Sequence, residues 1–555
     1  WEGDDPGETK SITYAELFES VTRLSGFLKH SGVDKGDTVF IYGAASIEVP
    51  IAMLACARIG AVHCVVSPAY SAAVLAERMK RCKAKALIAA DGYYHCGEAI
   101  PLGDKLDQAM GLYPGLIAVI LIGRLGTSVQ PRRNSCVWWH DALKHRSARS
   151  GALPESMPAE APLFIIFAAG AIGKPQPLVH THGGYLLWAA MTSRLALNLR
   201  DGDVVWSPGD PSWIASHTLG VYGTLINGVT GVLYEGIPTY PGVTRYWEIL
   251  SKYEVTKFNI SACHLRLLAA HERELSETRH TSCLRIISAD DQWLTREHWS
   301  WYYDFVGGGR CPVVSTWGQE ETGGPVLALL PGVGALKPGS VSKPFFGISP
   351  VILDLDTGEK TKFPNQEGAF FIEGPWPGMA RSIFGDHSAF LEEYFGPFPG
   401  LFITGEGAAR DEDGDYWIKG RIDDVMYVDG WRIGSWELES TLVSHPHVSE
   451  ATVVGYPHPV KGQGLYAFVT LQGTIAGSTE LKQELCGWLE MKIGSMVIPD
   501  VIQWADDLPK TRSGKILRRL LQRIAQGKVD DLGDLTTVAN PEVLDQLIKD
   551  RVSVS

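Results

Sequence analysis

Thr38-Val39-Phe40-Ile41-Tyr42, then an amphipathic stretch over residues 46–58, then Ala61-Val62-His63-Cys64-Val65-Val66, is the passage on which the fold reading turns. The first and third segments are short apolar runs of strand length, and the middle one carries the helical period. The pattern repeats at once, with a helix expected over Ala72–Arg81 and a strand over Ala86–Ala90. Strand and helix alternating in this way predict an α/β protein, with mixed or parallel sheets covered by helices. Further buried-strand runs fall at residues 163–167, 204–206, 257–260, 284–287 and 312–314, each ending in a turn or small residues. Ligands of open α/β sheets collect at such strand ends.

The texture changes after Gly405. A charged turn, Arg410-Asp411-Glu412-Asp413-Gly414-Asp415, is followed by a short strand at Tyr416-Trp417-Ile418. Beyond Gly420-Arg421-Ile422-Asp423-Asp424 come strands around 451–455 and 465–471, and a basic helix starting at Gly514-Lys515-Ile516-Leu517-Arg518-Arg519. These features predict a large domain over residues 1–421 and a small α+β domain over 422–555.

The 555 residues suffice for more than one core. A net charge of −13 disfavours nucleic acid and anionic membrane as partners, since both require a cationic face. Nine cysteines without a CxxC pair read as reduced thiols in a reducing compartment. The best apolar run, residues 116–122, is strand-sized, and no signal peptide is evident. A cytoplasmic location is expected. An organellar one stays open, because the first residue is Trp1 rather than Met.

Several longer passages together resemble the AMP-forming acetyl-CoA synthetases, within the superfamily of acyl-CoA synthetases, peptide-synthetase adenylation domains and luciferases. They are residues 1–8 (Trp-Glu-Gly-Asp-Asp-Pro-Gly-Glu), 52–63, 317–324 (Trp-Gly-Gln-Glu-Glu-Thr-Gly-Gly), 443–446, 453–464 and 508–515 (Leu-Pro-Lys-Thr-Arg-Ser-Gly-Lys). The resemblance covers almost the whole chain. That family carries a further segment before the Trp-Glu-Gly stretch. The resemblance implies a mobile small domain, hinged at Asp423. It also implies two half-reactions: a short carboxylic acid reacts with ATP to give acyl-AMP, and CoA then takes the acyl group.

The resemblance assigns roles residue by residue. Lys515 is the adenylation lysine. By itself a Gly-Lys pair beside Arg518 and Arg519 reads as an ordinary cationic helix start, but near an α-phosphate it offsets the repulsion between two anions. Glu321 is the magnesium ligand, a carboxylate for a hard cation. Thr316, Trp317 and Gln319 flank the nucleotide. Arg421 and Arg432 reach ribose and phosphate, or else form boundary salt bridges. Val443, His445 and Val448 match a second cation site made from two carbonyls and an imidazole, against the plain alternative of a surface histidine. Trp213, Ile214 and Ala215 belong to the acyl pocket, and Gly430 keeps the thiol path open.

Departures from the family are equally specific. Its phosphate loop places hydroxyl residues around glycines, whereas this chain reads Ala168-Ala169-Gly170-Ala171-Ile172-Gly173-Lys174-Pro175-Gln176-Pro177. Gly170, Gly173 and Lys174 survive, so backbone N–H groups can still converge. Each lost hydroxyl contact to phosphate is worth roughly 1.5–3 kcal/mol. Asp291-Gln292-Trp293 stands in place of Gly-Glu-Pro under the adenine, and Glu406 in place of the ribose-binding aspartate. In the acyl pocket Gly318 replaces a tryptophan, which predicts more room and a substrate larger than acetate, and Asp290 brings a carboxylate to an apolar wall. A carboxylate there has to be solvated, paired or protonated. Arginines that hold CoA phosphates correspond to His95, Glu98 and Glu490, and a serine on the pantetheine path to Asp429.

Three readings follow. The first is a short-chain acid–CoA ligase using ATP, Mg2+ and CoA. The second is a degenerate homologue that binds or regulates. The third is an adenylating enzyme with an acceptor other than CoA. Assembly into a homo-oligomer stays open in all three.

Overall fold

A computed structural model of the chain describes residues 1–126, 136–168, 175–275, 282–290, 294, 296–354, 357–422, 425–472, 475–510, 516–530, 532, 535, 538 and 540–552. It divides into two compact units, with the change along the chain between Gly420 and Arg421.

The larger unit is built on three sheets. In the first, Thr38–Tyr42 lies between Val62–Val66 and Ala86–Ala90, parallel to both. Ala118–Ile122 extends it on one side and Pro162–Ala168 on the other. Every residue of Thr38–Tyr42, Val62–Val66 and Ala86–Ala90 is buried. That explains why these strands read as nearly continuous apolar runs, broken only by Thr38 and His63, rather than alternating ones. The second sheet sets Val204–Trp206, Lys257–Ser261, Ile286–Asp290 and Val313–Trp317 side by side in parallel. Behind it Trp206, Tyr246, Phe258 and Tyr302 pack as one aromatic core. The third sheet is antiparallel, Ser349–Leu353, Gly368–Glu373, Leu401–Arg410 and Tyr416–Arg421 in that order.

Several helices of this unit were not anticipated from periodicity, Tyr14–His30 and His182–Ala196 among them. Tyr14–His30 opens with a capping box, in which Thr13 accepts from the Glu16 N–H and Glu16 accepts from the Thr13 N–H. The Thr-x-x-Glu spacing is a readable start signal for a helix.

The smaller unit holds an antiparallel hairpin, Val425–Val428 with Trp431–Gly434, and a three-stranded sheet of Val448–His458, Gly462–Leu471 and Val501–Trp504. The sheet is buried on both faces. Leu465, Ala467 and Val469 join a core with helices Ser435–Val443 and Thr479–Lys492, while Tyr466 and Phe468 join one with helices Arg518–Ala525 and Glu542–Lys549. Side chains alternate faces along a strand, so this run had to be apolar throughout. The basic helix expected from Gly514 starts later, at Arg518. Ile516 forms a β-bridge with Lys510 and the Leu517 N–H donates to Pro509 O at 2.8 Å, which keeps Ile516 and Leu517 out of helical geometry. Among the described residues no helix is long and apolar enough to cross a membrane.

Candidate functional site

In the larger unit a cavity of about 50 Å3 opens at the carboxyl ends of three parallel strands of the second sheet. Ser207 and Gly209 follow Val204–Trp206, Ser261 ends Lys257–Ser261, and Thr316 and Gly318 sit at the end of Val313–Trp317. The opposite wall is Trp213, Ile214 and Ala215, continued by Ser216 and Thr218. From Ser216 to Tyr222 the helix is widened to the π form, with the Gly223 N–H reaching Thr218 O. Such one-turn expansions recur beside ligand sites because they redirect side chains without ending the helix.

Five residues assigned to the acyl pocket and nucleotide edge from sequence therefore converge: Trp213, Ile214, Ala215, Thr316 and Gly318. Sequence reading missed Ser207, Ser216, Thr218, Ser261 and Glu320 on the same walls. A hydroxyl residue directly at a strand end, as at Ser207 and Ser261, was the available signal.

Gly318 behaves differently from the expectation of a simple void. A Cβ placed there would lie 2.5 Å from Gly324 O and 2.9 Å from Gly324 C. The backbone of the following turn occupies the space through which a side chain would leave. The turn is held by Thr322, whose hydroxyl accepts from the Gln319 N–H at 2.8 Å and lies 2.7 Å from Gly324 O. Replacing Gly318 with Trp is thus expected to displace backbone rather than refill a slot. Overpacking of this kind costs about 1–3 kcal/mol, and urea unfolding should show it. A stable Gly318→Trp variant with an intact cavity would mean that the turn opens freely.

Next to the cavity, Glu321 is 1% exposed, and Tyr394 donates its hydroxyl to Glu321 Oε1 at 3.1 Å. Tyr394 itself stacks on Phe402 at 5.2 Å with an interplanar angle of 2°, which locks the phenol. Trp317 turns the other way and meets Phe370 edge-on at 5.1 Å. The Gln319 side-chain amide donates to Thr404 O at 3.0 Å. Glu406 is buried in a bulge of Leu401–Arg410, where Gly368–Glu373 skips register between Ala369 and Phe371. Gly405 takes φ +74° there, a conformation glycine adopts without strain.

Beneath the cavity lies a cluster of three buried histidines around Phe164. His63, His180 and His217 have ring centroids 5.5, 4.8 and 4.9 Å from it. His63 pairs with the Tyr222 hydroxyl at 2.7 Å, His180 with Glu320 O at 2.7 Å, and His217 with Trp213 O at 3.0 Å. Burial holds His180 and His217 neutral, with their pKa values pushed down to about 4, and lowers His63 well below the usual value. Below pH 6.5 the unfolded chain takes up protons that these folded imidazoles refuse, so stability falls with pH. The loss runs from pH 6.5 to about 4 and reaches roughly 3 kcal/mol for each of His180 and His217. His217→Asn should flatten the acid limb of a stability–pH profile. An unchanged slope would remove His217 from the account.

In the smaller unit Asp429 and Gly430 form the two-residue turn of the hairpin, with φ +51° and +83°. Asp-Gly is a favoured pair for such a turn because both residues tolerate positive φ. Glu490 is exposed on helix Thr479–Lys492, and in the larger unit His95 and Glu98 are exposed on the Gly92–His95 and Glu98–Pro101 hairpin. His445 is buried, Val443 is 44% exposed, and Val448 O accepts from the Gln472 amide at 3.2 Å. Lys515, Gly170, Gly173, Lys174, Asp291, Gln292, Trp293 and Asp423 lie outside the described residues, as do the side chains of Asp290, Arg421 and Arg432.

A large α/β unit with a pocket at parallel strand ends, followed by a small α+β unit, is the plan of the adenylate-forming proteins. The AMP-binding enzyme family matches residues 3–384 and the AMP-binding enzyme C-terminal domain residues 437–515. The chain is 44% identical over 555 residues to an acetyl-coenzyme A synthetase of Syntrophobacter fumaroxidans, covering all of this chain and 85% of the relative. It is 45% identical over 554 residues to one of Saccharophagus degradans, and 44% identical over 553 residues to acetyl-coenzyme A synthetase 2 of Pseudomonas putida, again covering all of this chain and 85% of each relative. The protein belongs to the AMP-binding enzyme family.

Proposed function

We propose that the protein is an AMP-forming acid–CoA ligase acting on a short carboxylic acid. The observation that carries the reading is the small cavity at the strand ends, where Trp213, Ile214, Ala215, Thr316 and Gly318 meet. Its volume of about 50 Å3 favours an acyl chain of few carbons. Similarity along the full chain to acetyl-coenzyme A synthetases supports the same class of acid.

In the first half-reaction the substrate carboxylate attacks the α-phosphorus of ATP, the acyl–phosphate bond forms, and pyrophosphate leaves. Trp213, Ile214 and Ala215 exclude water from the acyl group, and Thr316 orients the carboxylate end. Lys515 offsets the charge of two approaching anions. Glu321 fits a magnesium ligand by donor chemistry: it is a buried carboxylate positioned by Tyr394. When bound, Mg2+ neutralises charge on the phosphate oxygens. Glu406, Arg421 and Arg432 serve ribose and phosphate, with Gly170, Gly173 and Lys174 beneath the phosphates and Asp291, Gln292 and Trp293 beneath the adenine. In the second half-reaction the smaller unit turns about Asp423, and the CoA thiol reaches the acyl carbon past Gly430, expelling AMP. A cytoplasmic setting accords with this chemistry.

A second reading, a binding or regulatory protein without turnover, is favoured by the apolar loop at Ala168–Pro177 and by the acidic Glu98, Asp429 and Glu490 on the CoA path. Anionic side chains within about 10 Å of a polyanion act on it directly. Pyrophosphate release with ATP and a panel of acids, with and without CoA, separates the readings. Release with a CoA-thioester product supports the ligase. Release without thioester points to another acceptor, and no release with any acid leaves the binding protein.

A further inference from the structure

We infer that the acid accepted by the cavity at the strand ends is a short hydroxy acid, with a hydroxyl on its chain in addition to the carboxylate. The inference rests on the ligase reading above and names the substrate class of that same site. Three serines line the cavity. Ser207 and Ser261 stand at strand ends, and Ser216 stands on the opposite wall.

Ser207 Oγ accepts from the Asn259 side-chain amide at 3.0 Å. Asn259 is 2% exposed, and its Oδ1 takes the Ser288 hydroxyl at 2.7 Å, which leaves the NH2 group for Ser207. Ser261 Oγ accepts from the His264 N–H at 3.3 Å, as the cap of helix Ala262–Ala269. A hydroxyl carries one proton and two lone pairs. In both serines a lone pair is used, while the O–H has no acceptor among the described residues. Each therefore has a donor to offer to the cavity. Ser216 is 8% exposed, and its hydroxyl has no hydrogen-bond partner among the described residues, so it can donate or accept. Thr218 on the same wall is different: its Oγ1 donates to Gly323 O at 3.3 Å and lies 3.0 Å from the Tyr185 hydroxyl.

An alkanoic acid would set methyl or methylene groups against these serines and strip them of water with nothing in return. A chain hydroxyl answers them. Its oxygen accepts from Ser207 or Ser261, and its proton goes to Ser216 Oγ. A chain carbonyl only accepts and would leave the lone pairs of Ser216 unused. An ammonium only donates and would face two O–H donors. A water needs roughly 10–15 Å3 of such space, so a cavity of about 50 Å3 admits a chain of about two or three carbons with one added oxygen.

The test is calorimetric titration of glycolate, lactate and 3-hydroxypropionate into the full chain, against acetate and propionate, with pyrophosphate release measured in parallel. We expect each hydroxy acid that fits to bind at least roughly 10-fold more tightly than the alkanoic acid of equal carbon number. Ser207→Ala and Ser216→Ala should each narrow that ratio by roughly 5-fold, the scale of one neutral hydrogen bond. Each substitution removes a single oxygen, so both variants should fold. Equal binding of the two kinds of acid overturns the inference, and assigns the serines to the carboxylate or to water. A ratio that both variants keep in full also overturns it, by placing the chain hydroxyl elsewhere. Tighter binding of hydroxy acids without pyrophosphate release upholds the inference while the ligase reading fails. Release with acetate and propionate as readily as with the hydroxy acids overturns the inference and leaves the ligase reading standing.

Discussion

Lys515→Ala is expected to slow pyrophosphate release by roughly 10²–10³-fold, the scale on which one preorganised charge-stabilising group acts, with the unfolding temperature unmoved. The reason is electrostatic. Acid and ATP meet as anions, and the developing charge on the α-phosphate needs a fixed cation more in the transition state than in the ground state. The loss should appear in kcat with little change in KM for the acid. Lys515→Arg keeps the charge but not the compact ammonium, and should recover only part of the rate. If Lys515→Ala releases pyrophosphate as fast as the parent, the catalytic role fails even though the ligase reading survives. If the parent releases none, the ligase reading fails first.

Glu2→Ala should cost the fold about 3–5 kcal/mol, the range for breaking a buried ion pair on one side. Glu2 is fully buried, and its carboxylate receives Arg245 Nη2 at 2.7 Å, Lys252 Nζ at 2.9 Å and the Tyr253 hydroxyl. Its backbone joins the same region, with its N–H on Leu233 O at 2.9 Å and its carbonyl taking the Glu235 N–H at 3.1 Å. Arg245 is only 2% exposed, so removing Glu2 leaves its guanidinium in the interior with the weaker contacts to Gly3 O at 3.3 Å and Glu248 Oε2 at 3.7 Å. Glu2→Gln preserves volume and one acceptor and should lose less. Urea unfolding followed by tryptophan fluorescence measures both. A Glu2→Ala curve within about 1 kcal/mol of the parent would show that Gly3 O and water carry Arg245 instead.

The alternating strands and helices around Thr38–Tyr42 were legible because period and burial are local properties, set over a few residues. The smaller unit was legible at Leu465–Val469 for the same reason. The later start of the Arg518–Ala525 helix was not, because it depends on a bridge between Lys510 and Ile516 and on Leu517 bonding back to Pro509. At the site, Trp213, Ile214, Ala215, Thr316 and Gly318 could be named from motifs. What Gly318 does could not: whether a missing indole leaves a void or a closed turn depends on where Gly324 O comes to rest.

Composition, periodicity and motif order thus settle the α/β plan, the change of texture near Arg421 and membership in an adenylate-forming family, since each is encoded within short stretches of chain. The partners of Glu2 some 240 residues away, the three histidines around Phe164, and the meeting of His445 with Glu484 belong to the folded chain alone. Contacts between distant residues follow from the path of the backbone and the packing of side chains, and no local propensity specifies them.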